Sequence, residues 1–131
     1  MPRLCVELVI KTESGIVLLL RKKFGWEGMW HMPGSTVYYQ EPVEACVRRT
    51  AEQEAGVQVE IDRFLGFQDY PEEANVRGFG HSVSLIFLCY IMDGTLAHDE
   101  DSEDIATFQE LPETMVKENK EFLESHWKQI F

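Results

Sequence analysis

The segment spanning residues 33–57 constrains the fold most, because it contains a start signal and a stop signal for one helix. Proline has a backbone angle that suits the first turn of a helix, and glycine readily adopts the left-handed conformation that ends one. Pro42 and Gly56 stand at these two places, after a loop that begins at Pro33-Gly34. We therefore predict a helix over Pro42–Ala55. Its buried stripe, at helical spacing, would consist of Val43, Cys46, Val47 and Ala51.

Apolar runs elsewhere predict a sheet. Leu4–Lys11 and Ile16–Leu20 flank the turn at Glu13-Ser14-Gly15 and predict a hairpin. The other predicted elements are strands at Met29–Met32, Val57–Phe67, Ser82–Met92 and Ile105–Phe108, and an amphipathic helix over Pro112–Phe131. Strands outnumber helices, so we predict one α+β domain over residues 1–131, with a sheet between helices.

The charge balance excludes one broad class of function. The chain has 12 basic and 23 acidic residues and a formal charge of −11, which argues against nonspecific binding to nucleic acid. Cys5, Cys46 and Cys89 lie in apolar stretches and are expected to be reduced. We find no signal peptide and no apolar run of membrane-spanning length, so we expect a cytoplasmic protein that does not bind membranes.

The spacing of charged residues and glycines across residues 35–57 resembles the Nudix box. That box runs glycine, five residues, glutamate, seven residues, Arg-Glu, an apolar residue, any residue, Glu-Glu, any residue, glycine and an apolar residue. The residues that match it are Glu41, Arg49, Ala51, Glu54, Gly56 and Val57. The residues that depart from it are Ser35, Thr50 and Gln53. The resemblance implies the Nudix fold, an α/β/α sandwich with a mixed sheet between helices.

The box implies a site for a divalent cation. Positions 50, 53 and 54 share one face of the predicted helix, and in the family this face binds Mg²⁺ or Mn²⁺. Only Glu54 keeps a carboxylate there. The resemblance implies that Glu54 and the carbonyl of Gly34 hold the metal, with Gln53 as a neutral ligand. Glu41 and Arg49 would pair and pin the loop to the helix.

One Nudix subgroup, the GDP-mannose mannosyl hydrolases, lacks the same two carboxylates. In that subgroup water attacks the anomeric carbon of the sugar, and the nucleoside diphosphate leaves intact. Most Nudix enzymes attack phosphorus instead. Attack at carbon needs stabilisation only of a departing diphosphate, so one cation can suffice. The resemblance implies a nucleotide or nucleotide-sugar substrate, with GDP-mannose among the candidates, and a possible homodimer.

The subgroup also implies residues that contact the substrate. These expected substrate contacts are Glu7, Arg21 or its neighbour Lys22, Tyr70 and His81. An arginine of the subgroup is replaced by Thr36, and its general-base histidine aligns with Asp101 or Ser102. The basic cluster at residues 21–23 could equally be a solvated loop.

The loop at residues 98–104 is dense in carboxylates, and Nudix enzymes often draw a base or an extra metal ligand from this region. A solvated loop is the alternative interpretation. An imidazole titrates near neutral pH and suits a general base. The residues to test as a base are therefore His98, Glu100 and Glu103.

Aromatic side chains near this site could stack a nucleobase. The candidates are Phe24, Trp26, Trp30, Tyr38 and Tyr39, although most aromatic residues belong to the core. His31 follows Trp30 on a predicted strand, and either a structural role or a place beside the cleft is open.

Three hypotheses follow. The chain is a Nudix hydrolase that attacks the sugar carbon of a nucleoside diphosphate linked to another moiety. Alternatively, it attacks phosphorus, with the late acidic loop replacing the missing ligands. The third hypothesis is a nucleotide-binding module that has lost catalysis.

Overall fold

The computed structural model describes residues 1–23, 25–78 and 80–131. Phe24, one of the candidates for base stacking, lies outside the described residues. The elements in chain order are β1 (Arg3–Thr12), β2 (Gly15–Arg21), β3 (Trp30–His31), β4 (Gly34–Thr36), α1 (Val43–Ala55), β5 (Val57–Tyr70), α2 (Glu73–Arg77), β6 (Ser82–Gly94), β7 (Ser102–Phe108) and α3 (Lys117–Ile130).

The described strands form one sheet, in which β1 occupies a central place. The main order is β3-β2-β1-β6-β5, while β4 pairs with β1 and β7 pairs with β2. β1 runs antiparallel to β2 across the predicted turn, and the hairpin prediction is confirmed. β1 runs parallel to β6, from the pair Arg3↔Ser82 to the pair Lys11↔Tyr90. The sheet is therefore mixed, as predicted.

Side chains of β1 alternate between two cores, one on each face of the sheet. On one face Val6, Leu8 and Ile10 pack with the buried residues of α1. On the other face Val9 packs with Phe122 and neighbouring residues of α3. The predicted sandwich of a sheet between helices is confirmed. Arg3, Cys5 and Glu7 share the face of Val9, and all three line a cavity.

The helix that carries the box begins and ends where the sequence predicts, within one residue. Pro42 is the N-cap residue in an extended conformation. Gly56 ends the helix with a φ of 72°, in the left-handed region that favours glycine. The predicted stripe is buried at Cys46, Val47 and Ala51.

The predicted start of the last helix is wrong, because α3 begins at Lys117 and not at Pro112. Residues 114–116 are extended beside β3 instead. The backbone N–H of Trp30 donates to the carbonyl of Thr114 at 2.8 Å, and that of Val116 donates to the carbonyl of Trp30 at 2.9 Å. Met115 and Val116 are buried in this extended segment and not in a helical stripe. The short elements β4 and α2 were not predicted.

Candidate active site

A cavity of about 370 Å³ opens between the loop that precedes α1, the start of β1, the α2 region, the loop at residues 98–102 and the start of α3. Glu54 lies at one end of its lining and Arg3 at the other, with Glu7 between them along β1. Residues 79 positions apart in the chain, such as Arg3 and Ser82, therefore meet in one site, because parallel pairing aligns β1 with β6.

Glu41 and Arg49 pin the loop to α1 in the way the sequence predicts. Arg49 Nε donates to Glu41 Oε2 at 2.8 Å, and Nη2 donates to Glu41 Oε1 at 2.9 Å. Nη2 also donates to the carbonyl of Thr36 at 2.9 Å. The hydrogen bonds from Arg49 lower the pKa of Glu41 to about 2. Neither residue lines the cavity, so the pair positions the site and does not contact its contents.

Thr50 and Gln53 stand where the box has carboxylates, and neither faces the cavity. Thr50 is completely buried, donates to the carbonyl of Cys46 at 2.7 Å and contacts the hydroxyl of Ser35. Gln53 is exposed, and its amide oxygen accepts a hydrogen bond from Arg49 Nη1 at 3.2 Å. A metal-binding role for Gln53 stays a prediction that this arrangement does not support.

Glu54 lines the cavity and is fixed by Gly34, whose N–H donates to Glu54 Oε1 at 2.9 Å. Gly34 pairs with Glu7 across β4 and β1. A Cβ at Gly34 would lie 2.8 Å from the carbonyl oxygen of Val6, so only glycine fits this approach. Burial raises the pKa of Glu54 to about 7; the Gly34 hydrogen bond opposes the rise, and the charge of Asp99 adds to it.

The late acidic loop contributes two carboxylates to the cavity, whereas His98, Glu100 and Glu103, the residues predicted for testing as a base, do not line it. Asp99 and Asp101 line it, and Lys23 Nζ lies 3.0 Å from Asp101 Oδ1. His98 is exposed, and its Nδ1–H donates to the carbonyl of Asp99 at 2.7 Å. Glu103 is exposed on β7 and does not line the cavity. The pairing of β7 with β2 changes register here, from Leu20↔Asp104 to Arg21↔Ser102, so Glu103 is the extra residue of a β-bulge.

Arg21 lines the cavity near Glu54, whereas its neighbour Lys22 is exposed and does not. Arg21 Nε donates to the carbonyls of Lys23 and Gly25, at 3.2 and 3.0 Å. The guanidinium carbon lies 5.7 Å from the ring centre of Trp26. Burial lowers the pKa of Arg21. Of the two predicted phosphate contacts, the geometry favours Arg21.

A buried polar network around Glu7 forms the middle of the cavity. Tyr70 Oη donates to Glu7 Oε1 at 2.5 Å, Ser84 Oγ donates to the same oxygen at 3.1 Å, and Asn119 Nδ2 donates to Oε2 at 3.3 Å. Burial raises the pKa of Glu7 to about 7. The predicted substrate residues Glu7 and Tyr70 are thus brought together. Asn119 was missed, because no local signal marks a helix residue that reaches a distant strand.

The two candidate histidines lie in different places. His31 lines the cavity, and its Nδ1–H donates to the carbonyl of Met32 at 2.8 Å. Burial, with a smaller contribution from the charge of Arg21, lowers the pKa of His31 to about 4. His81 is half-buried before β6 and is not among the lining residues. A substrate contact at His81 stays a prediction.

Of the candidate stacking residues, Trp26 and Tyr38 line the cavity. The Trp26 ring meets Tyr70 edge-on at 6.4 Å between ring centres. Trp30 packs on Phe108 in the core, with ring centres 4.8 Å apart, and Tyr39 is 91% exposed. Among the candidates that the structure describes, Trp26 and Tyr38 are therefore the two available to a bound base.

The carboxylates of the cavity suit a cation whose other ligands are water molecules and substrate phosphates. Among the described residues, no group of three or more His, Cys, Asp or Glu side chains is arranged to hold a metal. Mg²⁺ is usually held by one or two carboxylates together with waters and substrate phosphates. A buried carboxylate at Glu54, with Asp99 and Asp101 nearby, fits that chemistry.

Comparisons with known proteins identify the family of the chain. The family model described as NUDIX domain matches residues 1–126. A low-salt glycan biosynthesis protein, Agl8, of Haloferax volcanii is 31% identical over 111 residues, which cover 82% of this chain and 71% of that protein. An ADP-ribose pyrophosphatase of Methanocaldococcus jannaschii is 28% identical over 107 residues, which cover 82% of this chain and 62% of that protein.

A solved structure shows the same fold over nearly the whole chain. The MutT NUDIX hydrolase of Burkholderia pseudomallei superposes with a TM-score of 0.84 at 29% identity, covering 95% of this chain and 97% of that one. None of the helices among the described residues is both long and apolar enough to cross a membrane.

Proposed function

The chain belongs to the Nudix hydrolase family, and on that premise we propose that it is a divalent-metal-dependent hydrolase of nucleoside diphosphates linked to another moiety. A nucleotide sugar, with GDP-mannose as the first candidate, is the substrate class we favour. The relative named for glycan biosynthesis supports a sugar-linked substrate. Mg²⁺ or Mn²⁺ is the proposed cofactor.

One observation carries this proposal: Glu54 is the only box position whose carboxylate lies in the described cavity. Thr50 is buried in internal hydrogen bonds, and Gln53 binds Arg49. A site with one box carboxylate suits a single cation that stabilises a leaving diphosphate. Attack at the sugar carbon needs no more than this, whereas attack at phosphorus usually recruits further metal ligands.

In this proposal Glu54 and the carbonyl of Gly34 hold the cation, and Arg49 with Glu41 fixes the loop that presents them. A bound divalent cation supplies charge neutralisation on the diphosphate and polarises its oxygens. Arg21, which lines the same cavity, would donate to the same diphosphate. Glu7 and Tyr70 contact the moiety beyond it.

Asp101 is the proposed general base. It lines the cavity, and in the sequence it aligns with the general-base histidine of the subgroup. Water would form a bond to the anomeric carbon and give a proton to Asp101, while the bond from that carbon to the diphosphate oxygen breaks and its electron pair leaves with the diphosphate. Lys23, 3.0 Å from Asp101, orients this carboxylate before substrate binds.

Attack at phosphorus is the second candidate, and a specific observation favours it. Asp99 and Asp101 both reach the cavity, so the late loop offers carboxylates that could replace those missing at positions 50 and 53. The relative named ADP-ribose pyrophosphatase supports the same alternative. Dimerisation and a cytoplasmic location stay predictions.

Hydrolysis in oxygen-18 water, followed by phosphorus NMR, distinguishes the candidates. The panel comprises nucleotide sugars, dinucleotides, ADP-ribose and nucleoside triphosphates, each with Mg²⁺. Free sugar and unlabelled nucleoside diphosphate indicate attack at carbon, as proposed. Labelled monophosphate or sugar phosphate indicates attack at phosphorus and refutes the first mechanism.

The test variant for this assay is Glu54→Gln, and its matched control is Gln53→Ala, at a neighbouring position outside the cavity. We expect the first variant to lose metal-stimulated hydrolysis and the second to retain it. Saturable nucleotide binding without turnover of any substrate would assign the protein to the binding-module class instead.

A further inference from the structure

The end of the cavity farthest from Glu54 contains a cluster that no step of the proposed reaction uses. It consists of Arg3 on β1, Glu73 and Arg77 on α2, and Ser82 on β6, and all four line the cavity. Arg3 precedes Cys5 and Glu7 on the same face of β1, so it lies roughly 13 Å along the strand from Glu7 at the usual rise per residue.

Glu73 is the centre of this cluster. It is only 2% exposed, and both of its oxygens accept hydrogen bonds. Arg3 Nη2 donates to Oε2 at 2.9 Å, and Arg77 Nη1 donates to the same oxygen at 2.6 Å. Ser82 Oγ donates to Oε1 at 2.7 Å and accepts from Arg3 Nη2 at 2.9 Å. The two guanidiniums are thus held in fixed positions by one buried carboxylate.

The charges of the cluster do not cancel. Two guanidiniums and one carboxylate leave one positive charge, in a chain whose formal charge is −11. The charge of Arg77 also contributes to the lowered pKa of Arg21, after burial, so the positive potentials of Arg77 and Arg21 overlap in the cavity. A buried ion pair is a weak source of stability, because its desolvation offsets its attraction. A cluster of this kind is better explained by recognition.

The chemistry of the cluster selects its ligand. Guanidiniums donate hydrogen bonds and accept none, and the Glu73 oxygens are already engaged. A group that binds here must therefore present acceptor oxygens. Arginine matches the two oxygens of a carboxylate or phosphate, and the excess positive charge favours an anion over a neutral acceptor.

We propose that Arg3 and Arg77, held by Glu73, form a recognition site for an anionic group on the part of the substrate that lies beyond the diphosphate. This inference rests on the proposed function, because it assumes that the diphosphate lies at the Glu54 end. The anion is either the carboxylate of a sugar acid or an additional phosphate on the nucleoside. In the substrate, the sugar and the nucleoside lie on opposite sides of the diphosphate. The site would thereby strengthen the binding of anionic substrates relative to that of their neutral analogues.

Paired ligands test the proposal by isothermal titration calorimetry in EDTA, where binding is measured without turnover. UDP-glucuronate against UDP-glucose isolates a sugar carboxylate, and NADP⁺ against NAD⁺ isolates a nucleoside phosphate. One charge-assisted contact corresponds to about tenfold or more in affinity, so the anionic member of one pair is expected to bind at least about tenfold more tightly. The pair that shows the difference identifies the source of the anion.

Arg3→Gln is the variant, and Arg48→Gln is its matched control. Arg48 is exposed on α1 and away from the cavity, and its replacement removes the same charge. Arg3→Gln leaves Glu73 paired with Arg77, and thermal melting verifies that it folds. We expect the affinity ratio to fall below about threefold in Arg3→Gln and to remain unchanged in Arg48→Gln.

Equal affinities within both pairs would overturn the proposal, and so would an equal loss in both variants. Hydrolysis of both members of each pair, and of GDP-mannose, with Mg²⁺ is measured separately. If hydrolysis occurs and neither pair is distinguished, only the recognition site is wrong. If a pair is distinguished but nothing is hydrolysed, the proposed reaction fails and the anion site stands.

Discussion

His31→Asn tests the buried state of the cavity histidine through the pH dependence of stability. Burial lowers the pKa of His31 to about 4 in the folded chain, against an ordinary value of 6.5. Between these values the unfolded chain binds a proton that the folded chain does not, so stability falls as the pH decreases below 6.5. Asparagine does not titrate, and its amide can still donate to the carbonyl of Met32.

The magnitude follows from the two pKa values. The pH of 5 lies roughly 1.5 units below the pKa of histidine in the unfolded chain, and each unit corresponds to about 1.4 kcal/mol. Protonation of the unfolded chain at His31 therefore lowers the free energy of unfolding by about 2 kcal/mol at pH 5. At pH 7 this effect is close to zero. The free energy of unfolding of the wild type should therefore fall by about 2 kcal/mol more than that of His31→Asn between pH 7 and pH 5.

Urea unfolding followed by tryptophan fluorescence at pH 5, 6 and 7 measures this difference. His98→Asn makes the same change at an exposed histidine and is the control. The informative quantity is the difference in slope between variants, because both chains share every other titrating group. Parallel curves for the wild type and His31→Asn would refute the reasoning, since they would mean that His31 titrates alike in both states.

Three further predictions concern the site. Glu54→Gln should lower kcat by about 100-fold or more with an unchanged melting temperature, because a cation is expected to supply several kcal/mol; unchanged kcat at saturating Mg²⁺ would contradict this. Asp101→Asn should lower kcat by about 100-fold or more, while Glu103→Gln, outside the cavity, retains it; equal effects would remove Asp101 as the base. Gly34→Ala should lose about 1–3 kcal/mol of unfolding free energy, because its Cβ would lie 2.8 Å from the Val6 carbonyl; wild-type stability in urea unfolding would argue against that approach.

The helix that carries the box could be predicted because its signals are local. Pro42 and Gly56 mark its ends, and the charged residues of the box lie within one loop and one helix. The pairing of Glu41 with Arg49 follows from the same short spacing. The extended segment before α3 could not be predicted, because Met115 and Val116 have the spacing of a helical stripe and only their pairing with Trp30 makes them extended.

Parts of the site that depend on strand register could not be predicted. Glu7 was identified from the family resemblance, but its partners Ser84 and Asn119 come from distant elements. The same holds for Arg3 and Glu73, which meet only because β1 runs parallel to β6 beside α2. In the late loop, the sequence shows many acids but not the β-bulge at Glu103, which depends on the pairing of β7 with β2.

Two departures from the box are physically coupled. The box has glycine at position 35 and glutamate at position 50, whereas here Ser35 and Thr50 contact each other through their hydroxyls. Thr50 also donates to the Cys46 carbonyl and is completely buried. A carboxylate at position 50 would meet the Ser35 side chain in that buried space, and its charge would be costly there without a cation. The two substitutions therefore convert a metal-binding position into a packed polar contact and leave Glu54 as the box carboxylate that faces the cavity. This conversion is a physical reason to expect chemistry that one cation can support.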